Sequence, residues 1–572
     1  MVLVFVCIFG QVWLELKMPD YMSAITKLVQ DPSSEMGEIW HNGFFMLLCA
    51  IGSLVSAIGV GFLISNIAAD YSKNTRKKLF DKVEELDYHQ AKQFSTSSLI
   101  TRTTNDITQT QMVLAMGMQM IIRAPMTVVV AISKILNKSW QWSSITALAV
   151  VILLGTIATL MMIVLPKFKK LQKFTDRLNG VTRENLTGIR VVHAFNAEKY
   201  QENKFDNAND DLSNTQLFTQ RTLSIMSPMM YLVMEGVSLA IYYIGAQLID
   251  QAGAPHDRVT LFGDMIVFSS YAMQIIISFL VLAGIFMILP RAQVSAKRIN
   301  EVLETIPTIK SGTVKGEDLS EEGTVEFRNV SFKYPGAQEY MLKDISFKAK
   351  KGDTVAIIGS TGSGKSTLVN LIPRLYDSSE GVIYVDGVDV KDYKQSSLRN
   401  KIGYVPQKAV MFDGTVLSNT TYGDNGQEKT DEDYLLKALE IAQAKDFVEK
   451  MPKEYKSHIA QGGTNVSGGQ KQRLAIARAI ARKPEIFIFD DSFSALDFKT
   501  DAKLRKALKD NVKDATSIIV AQRIGTIMHA DQILVLDNGK CVGKGTHKEL
   551  LKNCEVYKQI ALSQLSKEEL NV

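Results

Sequence analysis

Gly359-Ser-Thr-Gly-Ser-Gly-Lys365-Ser366-Thr367 decides the fold of the second half of the chain. It directly follows an apolar, β-branched run, Thr354–Ile358, and precedes a helical pattern that begins at Leu368. A strand, a glycine-rich loop and a helix in this order form a phosphate-binding P-loop, whose glycines let backbone N–H groups curl around phosphate oxygens. The pattern predicts that Lys365 reaches the β- and γ-phosphates and that Ser366 places its hydroxyl on Mg²⁺.

A second strand supports a complete nucleotide-binding domain. The apolar run Glu485–Phe489 ends at Asp490, a carboxylate suited to act as the acidic partner of Mg²⁺. Residues 324–572 are therefore predicted to form an α/β P-loop NTPase domain that binds ATP and Mg²⁺. The predicted ATP contacts in the loop are Gly359, Ser360, Thr361, Gly362, Ser363, Gly364, Lys365, Ser366 and Thr367.

The first half of the chain has the character of a membrane domain. Its long apolar runs each approach the ~20 residues that a helix needs to cross a bilayer. They lie at 1–20, 43–69, 112–136, 143–165, 223–250 and 262–289. We therefore predict a multi-domain chain with an all-α, six-span transmembrane domain at 1–290 and a linker at 291–323. Since the first run begins at residue 1 without a cleavage site, we read it as a span and expect a preceding amphipathic segment to be missing.

The loops between the spans indicate the orientation of the chain. Those after the second and fourth spans are long and rich in Lys and Arg, whereas the others are short. The positive-inside tendency then predicts that both termini and the nucleotide-binding domain are cytoplasmic, in a cell membrane that we take to be a bacterial inner membrane. Residues 95–102 and 196–204, at the tips of the long loops, are predicted to contact the nucleotide-binding domains; the alternative is that they are solvated turns.

The composition excludes several other classes of protein. Sixty-five Lys and Arg against 60 Asp and Glu give a net charge of only +5, too weak a bias to indicate a nucleic-acid partner. The four cysteines are far apart and have no metal-ligand spacing, which argues against a disulfide scaffold and a zinc site. A mean hydropathy of +0.03 is the average of an apolar half and a polar half.

Two ionisable residues, Arg123 and Glu235, fall inside predicted spans. Charged groups are costly in lipid and usually face a bundle interior or a wet cavity. They are candidates either for the transport pathway or for an intramolecular or subunit-interface pair, and the sequence does not separate these alternatives.

The run Val466-Ser-Gly-Gly-Gln470, followed by Lys-Gln-Arg-Leu-Ala-Ile-Ala-Arg, makes a family resemblance specific. The chain resembles an ABC transporter half-subunit of the exporter type, most closely a multidrug-exporter-like one, over essentially its whole length. The resemblance implies that Tyr334 stacks on adenine and that Gln407 contacts Mg²⁺ and relays the nucleotide state to the membrane domain. It further implies that a signature loop caps the γ-phosphate bound by a second subunit and that Asp497 lies in a loop crossing to that subunit's site. The signature residues are Ser467, Gly468, Gly469 and Gln470.

Two positions that bear on hydrolysis depart from the family pattern. Asp491 stands where the family has a glutamate that polarises water, and Gln522 stands where it has a histidine. Aspartate is shorter by one methylene, and a misplacement of about 1 Å can cost on the order of 10²-fold in rate. Glutamine hydrogen-bonds but carries no ionisable proton. Gln461, just before the signature loop, also replaces a common glutamate.

These departures predict one subunit of a heterodimeric, ATP-driven exporter of amphipathic, drug-like small molecules. Its own ATP site, with Asp491, Gln522 and Lys365, would hydrolyse weakly, while its signature loop would complete the site of a catalytically competent second half-transporter. The alternatives are a homodimeric slow exporter of lipid or peptide, and a nucleotide-gated regulator or channel. In each case membrane lipid surrounds the first half of the chain.

Overall fold

A computed structural model describes residues 1–30, 34–136, 139–316, 321–423 and 432–566. The chain divides into two compact units. The first, or membrane unit, comprises Met1–Glu84 and Thr96–Glu304. The second, or nucleotide unit, comprises Glu85–Ser95 and Thr305–Val572. Six long apolar helices and an α/β unit with parallel strands confirm the predicted fold class.

The first half of the chain is helical, apart from short connections. A single π-helical turn, Arg102–Asp106, precedes the sixth helix. The helices are α1 (Val2–Glu15), α2 (Met18–Gln30), α3 (Met36–Glu85), α4 (Tyr88–Gln93), α5 (Thr96–Thr101), α6 (Ile107–Ile135), α7 (Trp140–Thr187), α8 (Ile189–Ala194), α9 (Glu198–Ser224), α10 (Met226–Gln251) and α11 (Pro255–Leu303).

All six predicted spans are present as helices long and apolar enough to cross a membrane. The helices outrun the apolar sequences: α3, α7 and α11 have 50, 48 and 49 residues, well beyond the ~20 that a bilayer needs. The helix α11 extends to Leu303, so it includes the first part of the linker predicted at 291–323. The first span is interrupted between α1 and α2, where the hydroxyl of the fully buried Tyr271 lies 2.8 Å from the carbonyl oxygen of Leu16. That contact satisfies a carbonyl at the end of α1.

The spans show the burial expected of helices with lipid or partner-facing sides. In the most apolar window of α3, only 17% of residues are buried within the chain, whereas in that of α11 the share is 50%. The interior around α11 is built on Trp142 and Phe268, whose rings are 5.4 Å apart. The helix α11 thus forms the centre of the membrane unit, in contact with α2, α6 and α10.

The nucleotide unit contains two larger sheets and one pair of short strands. One sheet has the order β2-β1-β4-β5, and the other has the order β12-β11-β3-β10-β9-β6. The strands are β1 (Val325–Phe332), β2 (Leu342–Ala349), β3 (Thr354–Gly359), β4 (Glu380–Val385), β5 (Val388–Asp389), β6 (Ile402–Val405), β7 (Gly414–Thr415), β8 (His458–Ile459), β9 (Ile486–Asp490), β10 (Thr516–Val520), β11 (Gln532–Asp537) and β12 (Lys540–Gly545).

Besides α4, a further set of helices belongs to this unit. They are α12 (Lys365–Leu371), α13 (Gln395–Asn400), α14 (Val416–Thr420), α15 (Glu432–Ile441), α16 (Lys445–Val448), α17 (Gly468–Ala481), α18 (Phe498–Asn511), α19 (Ile524–Ile527), α20 (His547–Asn553) and α21 (Glu555–Leu562).

The parallel part of the large sheet explains where the site forms. The neighbouring strands β3, β10, β9 and β6 all run in the same direction. Their carboxyl ends therefore meet at one edge, where ligands bind in open α/β sheets. The P-loop follows β3, Gln522 follows β10, Asp490 ends β9 and Gln407 follows β6. The order of the strands thus brings together residues that are up to 163 positions apart in sequence, from Gly359 to Gln522.

The first long loop, whose residues 95–102 are predicted to contact the nucleotide-binding domains, is divided between the two units. The helix α4 belongs to the nucleotide unit, whereas residues 96–101 of the predicted segment 95–102 form α5 in the membrane unit. Asp87 caps α4 and also accepts hydrogen bonds from the backbone and side chain of Thr308, and Gln90 Nε2 donates to Ile306 O at 2.6 Å. The capping box of Asp87 and Gln90 starts α4 shortly after α3 ends at Glu85.

Candidate nucleotide site

The side chain of Lys365 forms hydrogen bonds with the backbone of the P-loop to which it belongs. Lys365 Nζ donates to the carbonyl oxygens of Gly359 at 2.9 Å and Ser360 at 2.7 Å. Burial lowers the pKa of the Lys365 ammonium from its ordinary value, although the charges of Asp491 and Asp490 oppose that shift. The ammonium therefore sits inside the loop beside two acidic groups, in a position where phosphate oxygens can replace the backbone carbonyls as its partners.

The loop glycines fit a phosphate chain. Gly364 has a φ of +97°, and a Cβ on Gly359 would lie 2.0 Å from Leu536 O, so neither position accepts a side chain. A Cβ on Gly362 would meet nothing within 4 Å, which leaves open space beside the loop. The hydroxyl oxygen of Ser363 is buried without a hydrogen-bond partner among the described residues. The open space beside Gly362 and the unused hydroxyl of Ser363 suit the oxygens of a nucleotide phosphate.

A hydroxyl and a carboxylate are paired where Mg²⁺ was predicted. Ser366 Oγ donates to Asp490 Oδ1 at 2.8 Å, and Asp490 is 4% exposed. Burial raises the pKa of Asp490, and the hydrogen bond from Ser366 opposes that rise. Within the described ranges no cluster of three or more His, Cys, Asp or Glu side chains could hold a metal alone. The donor set fits Mg²⁺, which is usually held by few protein oxygens together with nucleotide phosphates and water.

The two residues that depart from the family pattern are in direct contact. Gln522 Nε2 donates to Asp491 Oδ2 at 2.7 Å, and Gln407 Nε2 donates to the same oxygen at 3.1 Å. Asp491 is 6% exposed and has a φ of +47°, a left-handed conformation that turns the chain sharply after β9. The structure thus joins Gln407 to Asp491, whereas the predicted Mg²⁺ set had grouped it with Ser366 and Asp490.

Tyr334, the predicted adenine-stacking residue, belongs to an aromatic cluster. Its hydroxyl is 2.8 Å from Thr367 Oγ1, which ties it to the end of the P-loop. Its ring packs edge-on against Phe332 at 4.9 Å and Tyr376 at 5.3 Å, and Tyr376 in turn packs edge-on against Tyr88 of α4 at 5.8 Å. Burial raises the pKa of Tyr376 to about 12. We call Tyr88, Tyr376, Tyr334 and Phe332 the aromatic chain; it leads from α4 to the P-loop.

The signature residues form the start of α17. The Ser467 side chain caps this helix in a capping box with Gln470, and Gly468 is exposed whereas Gly469 is half-buried. A Cβ on Gly469 would lie 3.4 Å from Ala495 O, so the signature loop borders the segment that precedes Asp497. Among the described residues, no hydrogen bond or ion pair joins these four residues to the P-loop of the same chain.

Asp497 acts locally as a helix cap. Its side chain accepts a 2.9 Å hydrogen bond from Thr500 N at the start of α18, which lowers the pKa of the carboxyl group. Arg523, next to Gln522, donates to the carbonyl oxygens of Leu496 at 3.4 Å and Ser494 at 3.2 Å. Through these bonds the loop before Asp497 is attached to the segment that carries Gln522.

Sequence reasoning missed two supporting residues. Gln564, near the described end of the chain, accepts from Ile524 N at 2.8 Å and donates to Gln522 O at 2.7 Å, so it fixes the backbone of Gln522. Tyr376 links Tyr334 to α4. A glutamine in the turn after α21 carries no motif, but an aromatic residue shortly after the P-loop helix was a signal that could have been followed.

The membrane unit gives different surroundings to its two intramembrane ionisable residues. Arg123 Nη2 donates to Glu15 Oε1 at 3.1 Å and to Oε2 at 2.9 Å, which makes an intramolecular pair. Glu235 is exposed, and no hydrogen bond or ion pair engages it within the described part of the chain. A similar pair joins Lys134 to Asp20 at 2.5 Å.

Comparison with known proteins agrees with this architecture. The family profile for the ABC transporter transmembrane region matches residues 1–279, and a second profile, described as ABC transporter, matches residues 342–494. An uncharacterized ABC transporter ATP-binding protein of Mycobacterium tuberculosis is 38% identical over 548 residues, which cover 95% of this chain and 93% of the relative. The ATP-dependent lipid A-core flippase of Pseudomonas putida is 33% identical over 511 residues, with coverages of 88% and 82%.

The fold of the chain also matches that of a solved structure. A solved structure of a bacterial Atm1-family ABC exporter with ATP bound superposes with a TM-score of 0.80 at 21% identity and covers 97% of both chains. The fold and the P-loop define a multi-pass membrane protein with a fused ATPase domain. The chain belongs to the ABC transporter family, as a half-transporter that carries a transmembrane region and an ATPase region.

Proposed function

We propose that this chain is the weakly hydrolysing subunit of a heterodimeric exporter. The observation that carries the proposal is the hydrogen bond from Gln522 Nε2 to Asp491 Oδ2, at 2.7 Å, to which Gln407 adds a second amide donor. The two amide donors occupy Oδ2 of Asp491, an oxygen that would otherwise be open to a hydrogen bond from an attacking water. Asp491 is also one methylene shorter than the glutamate of the family pattern.

The remaining machinery is proposed to bind ATP and Mg²⁺. Lys365, the loop residues 359–367 and Tyr334 would hold the nucleotide, and Ser366, Asp490 and Gln407 would face Mg²⁺. Ser467, Gly468, Gly469, Gln470 and Asp497 would contact ATP bound at the P-loop of the second chain. ATP at both sites would clamp the nucleotide units together, and hydrolysis at the partner's competent site would open them again.

Orientation and cargo belong to the same proposal. The long Lys- and Arg-rich loops would face the cytoplasm, in a bacterial inner membrane, so that substrates move outward. The cargo would be amphipathic small molecules of a drug-like kind. A second candidate, export of a lipid by a homodimer of this chain, is favoured by the lipid A-core flippases among the relatives.

The test compares this chain alone with the chain co-expressed with candidate half-transporters from the same genome. We expect a stable heterodimer whose ATPase activity falls to background when the partner's catalytic glutamate becomes glutamine. The change Asp491→Glu with Gln522→His should alter that rate far less. A stable homodimer with full substrate-stimulated ATPase activity, abolished by Lys365→Ala, would refute the heterodimer and support the second candidate.

A further inference from the structure

A cavity of about 420 Å³ lies inside the membrane unit, between α1, α6 and α11. Its lining includes the apolar side chains of Met120, Ile277 and Val281 and the ion pair of Glu15 with Arg123. Polar amide and hydroxyl groups of Gln119, Gln274, Thr127 and Ser278 complete the lining. The volume lies within the ~300–1,000 Å³ of small-molecule sites.

The hydrogen bonds of the pair show which kind of group the cavity can accept. Both carboxylate oxygens of Glu15 are engaged: Oε1 accepts from Gln11 at 3.0 Å, Ser53 at 3.2 Å and Arg123 at 3.1 Å, and Oε2 accepts from Arg123 at 2.9 Å. Arg123 uses only Nη2, so its Nε and Nη1 donors have no partner among the described residues.

The exposure of the two side chains agrees with this accounting. The Arg123 side chain is 40% exposed, against 21% for Glu15. A pair that served only to hold α1 to α6 would have its cation enclosed, since a guanidinium in an apolar surrounding needs partners for all of its donors. Here the unused groups are the Nε and Nη1 donors of Arg123, a residue that lines the cavity.

We propose that this cavity is a binding site for an amphipathic molecule with an acidic head, a phosphate or a carboxylate. The head would take the free Nε and Nη1 edge of Arg123 in a bidentate contact, while Glu15 keeps Nη2 and holds the guanidinium in place. The amides of Gln119 and Gln274 donate further hydrogen bonds to the added negative charge. The apolar tail packs against Met120, Ile277 and Val281.

The proposal rests on the export function, because the ligand is the proposed cargo. It narrows the cargo from amphipathic molecules in general to acidic ones. A cationic amphiphile does not suit the site, since both oxygens of the Glu15 carboxylate in the lining already accept hydrogen bonds and its charge is paired with Arg123.

The test measures binding by calorimetry to the full-length chain in nanodiscs of neutral lipid, without nucleotide. The probes are dodecyl phosphate, dodecanoate, dodecyltrimethylammonium and inorganic phosphate. We expect the two acidic amphiphiles to bind, and Arg123→Gln to weaken them about tenfold or more, the loss expected for a charge-assisted bidentate contact. Arg123→Lys should restore part of the affinity.

Lys134→Gln is the matched control. It also removes a cation on α6 that is paired with an acid of the first span, Asp20, but it does not line the cavity. It should leave the affinity for dodecyl phosphate unchanged. The double change Glu15→Gln with Arg123→Gln avoids an unpaired carboxylate, so a loss of binding in this folded variant supports the site.

Three results would overturn the proposal. These are unchanged binding of dodecyl phosphate in the Arg123→Gln and double variants, preferential binding of dodecyltrimethylammonium, and inorganic phosphate competing as strongly as the amphiphiles, which would indicate a site for free anions. The assay requires neither ATP nor a second chain. Its outcome is therefore independent of whether the heterodimer proposal holds.

Discussion

The aromatic chain makes a prediction about how ATP affinity depends on a residue remote from the phosphates. Tyr376 packs on Tyr334 at 5.3 Å, Phe332 at 5.4 Å and Tyr88 at 5.8 Å, and its hydroxyl has no partner among the described residues. Changing Tyr376 to Leu keeps an apolar side chain but removes all three aromatic pairs.

The magnitude follows from the number of pairs. Each is worth about 0.5–1.5 kcal/mol beyond its buried area, so the free energy of unfolding of the nucleotide unit should fall by about 1.5–4.5 kcal/mol if the pairs add. Only the pair with Tyr334 acts on the proposed adenine contact. The loss of its 0.5–1.5 kcal/mol would weaken ATP binding by about two- to tenfold.

The assay is titration of the purified full-length protein with a fluorescent ATP analogue, alongside thermal unfolding. Tyr376→Phe keeps every ring contact and should match the unchanged protein in both measurements. Phe347→Leu is the control for stability alone, because it removes one buried pair, with Phe327 at 4.6 Å, in the same sheet as Phe332. Equal ATP affinity in Tyr376→Leu and the unchanged protein, or an equal loss in Phe347→Leu, would refute the reasoning.

Three further predictions concern single hydrogen-bond groups. Gln564→Ala should release the backbone at Gln522 and Ile524 and lower stability by about 1–3 kcal/mol, the net value of two hydrogen bonds, as measured by denaturant unfolding; an unchanged midpoint would contradict it. Asp87→Ala should cost about 0.5–2 kcal/mol as a lost helix cap and speed amide exchange in α4, whereas Asp87→Asn, which can still cap, should not. Gln522→His should introduce an ionisation near pH 6.5 into the pH profile of single-turnover ATP hydrolysis at this chain's own P-loop, measured in a heterodimer whose partner lacks its catalytic glutamate, because glutamine has no ionisation in that range; a profile without the new ionisation would argue against a role at the reacting phosphate.

The sequence was sufficient for the features that follow from local pattern. The P-loop and the strand ending at Asp490 were predictable because strand, turn and helix signals lie within a few residues of each other. The six spans were predictable because lipid requires continuous apolar helices. Their ends were not, since α7 and α11 continue as polar helices whose stability comes from packing rather than hydropathy.

Other features depend on contacts between distant parts of the chain. The pairing of Arg123 with Glu15 joins residues 108 positions apart, and Gln564 reaches Gln522 across 42 positions. Neither pair has a spacing rule, because side chains on separate helices meet only through tertiary packing. The contacts of Gln90 with Ile306 and of Asp87 with Thr308 have the same cause, because they join residues 216 and 221 positions apart.

The membership of residues 85–95 in the nucleotide unit has a practical consequence for anyone dividing this protein. A fragment cut at Thr305 would appear to contain a whole ATPase, yet Tyr376, Ile306 O and Thr308 would each lose a native partner to water. Measurements on such a fragment would describe an ATPase domain that lacks α4 and the contacts α4 makes. A chimera that exchanges ATPases between transporters should therefore carry this eleven-residue piece along with the domain it completes.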